Sequence, residues 1–157
     1  MAIQVTLNGE TFQIPIQGQN PAWGEQLTDL LQALVNAANS ASGPADILLT
    51  SFNVSNNVAS PTNITGAAFD TSQVRSFIMQ YDLYRSTNSN ELSEVGHLYG
   101  TYKSSAGTWE LNQSYAGSSG ITFSMTNGGQ LQYTSSNMAG TGYVGKMKFK
   151  ATSFLQA

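Results

Sequence analysis

The chain begins with two short runs in which apolar and polar residues alternate. The first run covers residues 3–7 and the second covers residues 12–16. Asn8 and Gly9 follow the first run, and both tolerate the positive φ angles of a tight type I′ turn. The pattern predicts an N-terminal β-hairpin, with Pro15 at the end of its second strand or at an edge position.

The apolar period changes between Trp23 and Asn39, where apolar residues recur every three or four positions. This spacing predicts an amphipathic α-helix of about 17 residues. The apolar stripe has to be buried, either against its own chain or against the same helix of other copies, and we favour a bundle of three. We expect the oligomer or attachment interface to consist of Trp23, Leu27, Leu30, Leu31, Leu34 and Val35.

From residue 44 onward the chain consists of alternating runs separated by turn signals. In residues 74–86, Phe77, Met79, Tyr81 and Leu83 share one face of an extended segment. Repeated short runs of this kind predict an antiparallel β-sandwich or barrel, and we expect a sandwich. The predicted fold is therefore mainly β: an N-terminal hairpin and one helix in residues 1–43, the assembly or attachment element, followed by a sandwich in residues 44–157.

The last run of the chain carries three alternating lysines, Lys146, Lys148 and Lys150. Alternation on a strand places all three on one face, opposite Met147 and Phe149. A row of lysines is more typical of a solvated face or a protected sheet edge than of a ligand site.

The composition favours contact between surfaces over charge chemistry. Only 10% of the residues are charged, and Ser, Thr, Asn and Gln supply most of the polarity. Such a surface suits packing against copies of itself or against a large assembly, although a low-charge β domain with no assembly role has the same composition. The net charge of −3 makes nucleic acid an unexpected partner. We also expect no membrane partner, because no apolar run is long enough to span a bilayer, and the first residues lack a signal-peptide pattern.

Catalytic and metal-binding patterns are not found in the sequence. Cysteine is absent, and the single histidine, His97, lies in a strand pattern where we expect a half-buried sheet residue. Nucleotide-binding and nucleophile-elbow motifs are missing as well. Glu94 and Glu110 lie on neighbouring predicted strands, so they are the one carboxylate pair that a glycosidase could use, but we expect solubilising charges there. The sequence predicts no catalytic residues, no cofactor and no metal.

Aromatic residues are the remaining hint of binding. The seven tyrosines and Trp109 offer large rings that suit sugar stacking or protein contact. Core packing and strand propensity explain such residues better and are the expectation for any single one.

Two long segments resemble structural proteins of tailed bacteriophages. Residues 7–34, with an Asn-Gly hairpin, an Ile-Pro pair and a Trp-Gly loop before a helix, are similar to a segment near the N-termini of such proteins. Residues 74–136 resemble the β domain that ends head fibres, tail fibres and capsid decoration proteins. The resemblance implies a trimer without cofactor or catalytic residues.

The resemblance leaves two functions open. Fibres usually carry a shaft between the helix and the terminal domain, whereas here the helix leads almost directly into the predicted sandwich. We therefore expect a homotrimeric capsid decoration (cement) protein that binds the major capsid protein on the outer surface of the shell, located in the virion after assembly in the host cytoplasm. The alternative is a head or tail fibre, an adhesin that binds host-surface glycans.

Overall fold

The structure is a computed structural model of the full chain. It describes the backbone of Ile3–Leu7 and Glu10–Ile14, helical residues 29–32 and 34, and residues 45–156. The chain divides into two compact units, Met1–Pro44 and Ala45–Ala157.

The first unit contains the predicted hairpin. Strands β1 (Ile3–Leu7) and β2 (Glu10–Ile14) pair antiparallel, from Leu7 opposite Glu10 to Ile3 opposite Ile14. Residues 29–32 and 34 are helical and lie within the predicted helix, whose remaining positions fall outside the described residues.

The second unit consists of eight antiparallel strands. Their bounds are β3 (Ile47–Asn53), β4 (Val58–Ala68), β5 (Val74–Ser86), β6 (Glu91–Lys103), β7 (Thr108–Ser118), β8 (Ile121–Met125), β9 (Gln130–Ser135) and β10 (Val144–Leu155). They form a five-stranded sheet in the order β3-β10-β5-β6-β7 and a three-stranded sheet in the order β4-β9-β8. The prediction of a mainly β chain with an antiparallel β-sandwich is confirmed.

The core lies between the two sheets and follows the predicted alternation. Phe77, Met79, Tyr81 and Leu83 on β5 are all buried, as are Met147, Phe149 and Ala151 on β10, and the three alternating lysines on β10 are exposed. The three-stranded sheet contributes Ile64, Phe123, Leu131 and Tyr133. Burial of these apolar side chains, worth about 25 cal/mol per Å² of area removed from water, provides the main driving force for folding.

One tight packing arrangement joins the two layers near the β6–β7 end of the sandwich. Phe77 on β5 stacks on Phe69, which follows β4, with ring centroids 3.8 Å apart and planes 2° from parallel. Gly100 lies opposite Phe77 on β6, and a side chain at Gly100 would overlap the Phe77 ring. The missing side chain therefore makes room for the aromatic ring of the neighbouring strand.

We predict that Gly100→Ala lowers the free energy of unfolding by about 1–3 kcal/mol, because the added methyl group pushes Phe77 out of its stack. Urea denaturation followed by near-ultraviolet circular dichroism measures this change. Gly128→Ala is the control, since an added Cβ there would have its nearest neighbour, Thr126 Oγ1, at 3.9 Å. Equal stabilities of the two variants would show that the ring does not depend on this glycine.

Candidate functional site

The predicted interface residues are described only in part. Trp23, Leu27 and Val35 lie outside the described residues. Leu30 is half-buried, whereas Leu31 and Leu34 are 53% and 54% exposed on the helical backbone. Two large apolar side chains of the predicted stripe are therefore available for contact.

The structure separates Glu94 from Glu110, so the two carboxylates do not form a catalytic pair. Glu94 lies opposite Gly117 in the ladder between β6 and β7, and Glu110 lies opposite Thr101. Seven residues along one strand correspond to about 23 Å. Glu110 is exposed and pairs with Lys103, as expected of a solubilising charge. The expectation for Glu94 is wrong, because this carboxylate points into the sandwich and is only 5% exposed.

Four donors surround the buried Glu94 carboxylate. Its Oε1 accepts hydrogen bonds from the Tyr81 hydroxyl at 2.6 Å and from Gln113 Nε2 at 3.0 Å. Its Oε2 accepts bonds from the backbone N–H of Ser119 at 2.9 Å and from the Ser119 hydroxyl at 2.8 Å. Charge-assisted bonds of this number offset the cost of removing a carboxylate from water.

Tyr81 is held as a neutral phenol by the same network. Burial raises the pKa of Tyr81 far above its ordinary value, and the hydrogen bond to the Glu94 carboxylate raises it further. A phenol with a raised pKa is a hydrogen-bond donor and not a base at ordinary pH. Tyr81 therefore fixes the Glu94 carboxylate and does not activate it.

A second buried charge, Arg85, lies at the same end of the sandwich. Its guanidinium donates to the carbonyl oxygens of Ser119 and Ser136, at 2.6 Å each, and to Asn56 Oδ1 at 3.1 Å. The Tyr143 hydroxyl accepts a bond from Nε at 3.0 Å. Within residues 45–156 no carboxylate forms an ion pair with Arg85. The guanidinium instead ties three loops together through neutral acceptors.

Sequence reasoning missed this polar cluster, although the strand period contained the signal. Arg85 continues the buried series of alternate residues on β5, and Glu94 occupies the same parity on β6 as the buried Leu98. Alternation placed both charges on the inner face of the sheet. The strand period does not show that hydrogen-bond partners from distant loops contact Arg85 and Glu94 on this inner face.

A polar groove of about 480 Å³ opens beside the cluster. On the five-stranded sheet it is lined by Glu94, Gln113 and Tyr115, of which Tyr115 is 58% exposed. Hydroxyl groups of the opposite wall belong to Thr122 and Thr134. The Glu94 oxygens are already occupied, so the groove offers neutral hydroxyl and amide groups and one aromatic ring to a ligand.

The tyrosines divide into core and surface residues. Tyr81 and Tyr133 are buried, whereas Tyr84, Tyr99 and Tyr115 are exposed. Trp109 is half-buried against Phe69, Phe77 and Tyr102, so it does not provide the exposed sugar-stacking ring considered for it. The exposed aromatic residue at the groove is Tyr115.

The outer face of the five-stranded sheet forms a second candidate surface. Leu49 and Val95, 72% and 50% exposed, flank a hollow of about 360 Å³. Its polar lining includes Asp82, Lys148 and Lys150. The same face carries exposed Ile78, Tyr84 and Tyr99. Half-buried His97 stacks beside Tyr99, which confirms its prediction as a sheet residue. Apolar side chains rimmed by a few charges are typical of a protein-binding surface.

The described residues form neither a metal-binding cluster nor a membrane-spanning helix. Among the residues that the structure describes, no group of three or more His, Asp or Glu side chains is placed to hold a metal ion. The described part of the chain also contains no helix with the length and apolarity needed to cross a membrane.

We predict that Glu94→Ala lowers the free energy of unfolding by about 3 kcal/mol, because it leaves the buried donors of Tyr81, Gln113 and Ser119 without their acceptor. Glu110→Ala is the matched control and changes the stability by at most about 0.5 kcal/mol, since the exposed Glu110–Lys103 pair is screened by water. Chemical denaturation of both variants measures the difference. Equal losses would contradict the different roles assigned to the two carboxylates.

Comparison with known proteins adds no relative from which a function could be transferred. No protein family, no curated protein and no solved structure matches the chain. The two surfaces are therefore interpreted from their own chemistry.

Proposed function

We propose that the chain is a non-enzymatic structural protein of a bacteriophage virion, a homotrimeric capsid decoration (cement) protein. In this proposal it binds the major capsid protein on the outer surface of the shell. The protein acts through contact area, without cofactor, metal, nucleic acid or membrane.

The observation that carries this proposal is the outer face of the five-stranded sheet. This face spans five adjacent strands, and exposed Leu49, Ile78, Val95 and Tyr99 on β3, β5 and β6 lie beside the exposed lysine row of β10. A stable protein interface buries about 800 Å² on each partner, and a broad sheet face can supply an area of this order. A cement protein needs such an area, because many weak contacts together resist outward pressure on the shell.

The low charge of the chain supports contact between large neutral surfaces. Charged residues make up 10% of the sequence, compared with about 25% in ordinary soluble domains. The resemblance of residues 7–34 and 74–136 to phage structural proteins is the reason for proposing a bacteriophage capsid as the partner.

The N-terminal unit is the proposed trimerisation element. Leu31 and Leu34 are exposed on the described part of the helix, and apolar side chains at this spacing pack well in helix bundles. Association of three copies through this stripe would multiply the affinity of the sandwich for a repetitive shell.

A second candidate function, glycan binding by a fibre, is favoured by the polar groove. Tyr115 presents an exposed ring beside the amide of Gln113 and the hydroxyls of Thr122 and Thr134. An aromatic platform with neutral hydrogen-bonding groups suits an uncharged sugar.

We predict that Leu49→Lys/Val95→Lys weakens binding to capsid shells lacking this protein at least about tenfold, because two charges would have to be desolvated within the contact. Co-sedimentation with shells measures the affinity. Asn63→Lys/Gln132→Lys is the control. It adds the same charge to the three-stranded sheet, where Gln132 donates a hydrogen bond to Asn63 on the outer side. Equal binding by the wild type and the two double variants would exclude the five-stranded face as the shell contact.

The glycan hypothesis makes a separate prediction. If the protein is a fibre tip, a glycan array yields binding that Tyr115→Ala abolishes and Tyr99→Ala leaves intact, because only Tyr115 lines the groove. The copy number in purified particles then distinguishes the two functions. Hundreds of copies support decoration, whereas a handful supports a fibre or tail component.

A further inference from the structure

The two sheets of residues 45–156 have four edge strands, and three of them are poorly suited to pair with another strand. β3 carries a register shift opposite β10 between Phe149 and Ala151. β4 contains Pro61 and two register shifts. β8 has only five residues. Irregularity, proline and short length are the usual features that prevent sheet edges from associating.

The fourth edge strand, β7, has none of these features up to Ala116, and only Gly117 near its end departs from extended backbone, with a φ of 92°. It is 11 residues long, contains no proline and pairs with β6 without a register shift from Thr108 to Ser118. Glu110 is its one charged residue and is already paired with Lys103 of its own hairpin. Residues 112–118 are all exposed. A long, regular and almost uncharged edge is a template for strand addition.

The hairpin turn determines which backbone groups of β7 face outward. Gly107 N–H donates to the carbonyl of Lys103, which closes the four-residue turn next to the pair of Lys103 and Thr108. In an antiparallel ladder, successive residues alternate between bonding to the partner strand and facing away from it. Counting from this turn, the N–H and C=O groups of Leu111, Gln113 and Tyr115 point to the free edge.

We propose that β7 pairs antiparallel with β7 of a second copy of this chain, around a two-fold axis at Gln113. The two five-stranded sheets then form one ten-stranded sheet. This contact is independent of the proposed function and differs from the helical trimer contact. On a shell it would link neighbouring trimers laterally.

The sequence of β7 is compatible with itself in this register. Gln113 is the midpoint of Thr108–Ser118, so pairing there uses the extended residues 110–116 symmetrically, and Gly117 with its φ of 92° lies outside them. Leu111 then lies opposite Tyr115 of the other copy, twice, and an aliphatic–aromatic pair is a favourable cross-strand contact. Asn112 faces Ser114, and Glu110 faces Ala116, so no like charges meet. Tyr115, 58% exposed in the single chain, gains an apolar neighbour.

The test compares two double variants of the full chain that differ only in the sign of one charge. In N112K/S114K, the introduced lysines of one copy face those of the other. In N112K/S114E, lysine faces glutamate at both symmetry-related positions. Light scattering is recorded from micromolar to near-millimolar concentration for both variants and the wild type.

We expect the mass of the wild type at least to double with concentration, since a monomer presents one free β7 edge and a trimer presents three. N112K/S114K raises the dissociation constant of this step by about tenfold or more, because two like-charged pairs meet at the axis. N112K/S114E retains the association step, because lysine faces glutamate in both pairs. Absence of concentration-dependent association in the wild type, or equal loss of it in both variants, overturns the proposal.

Hydrogen exchange provides a residue-level readout of the same contact. The amides of Leu111, Gln113 and Tyr115 should exchange slowly only at concentrations where light scattering shows the association. The amides of Asn112 and Ser114 bond to β6 within the chain, so they are protected at every concentration and serve as the internal reference. Concentration-independent exchange at all five positions contradicts pairing through this edge.

Discussion

The five-stranded sheet of this protein packs against a sheet of only three strands, and this inequality determines most of its accessible features. Three strands cannot cover the inner face of five, so Gln113 and Tyr115 on β7 stay exposed although they belong to that face. Tyr115 pairs with Gly96 on β6, and Gly96 is buried, so this position of β6 is covered whereas the neighbouring position of β7 is not. The uncovered margin gives rise to the polar groove, and it also leaves β7 as a long free edge.

The end of the sandwich next to this margin is held by hydrogen bonds to buried charges. Glu94 and Arg85 do not pair directly, but Ser119 connects them, since its N–H and hydroxyl donate to Glu94 and its carbonyl accepts from Arg85. Buried charges are costly unless every donor and acceptor is satisfied, so this network fixes the loops in one arrangement. This hydrogen-bonded network borders the groove.

The three proposed contacts use different parts of the molecule. The outer face of the five-stranded sheet is the proposed shell contact, the apolar helix stripe is the proposed trimer contact, and β7 is the proposed lateral contact between copies. They do not compete for the same side chains, because Leu49 and Val95 point away from the core and the edge of β7 bonds through its backbone. A repetitive assembly needs several such weak contacts acting together.

The sequence by itself determined the strand faces, because a two-residue period fixes which side chains share a side. It located the buried Phe77, Met79, Tyr81 and Leu83, the exposed lysines of β10 and the N-terminal hairpin. It also put Arg85 and Glu94 on inner-face positions, yet their burial was not predicted, since a strand period contains no information about which distant loops supply hydrogen-bond partners. Only the tertiary structure decided that Glu94 and Glu110 lie far apart, that Trp109 belongs partly to the core and that β7 ends a sheet. These outcomes depend on strand order and on the unequal size of the sheets, which are set by long-range pairing and not by local pattern.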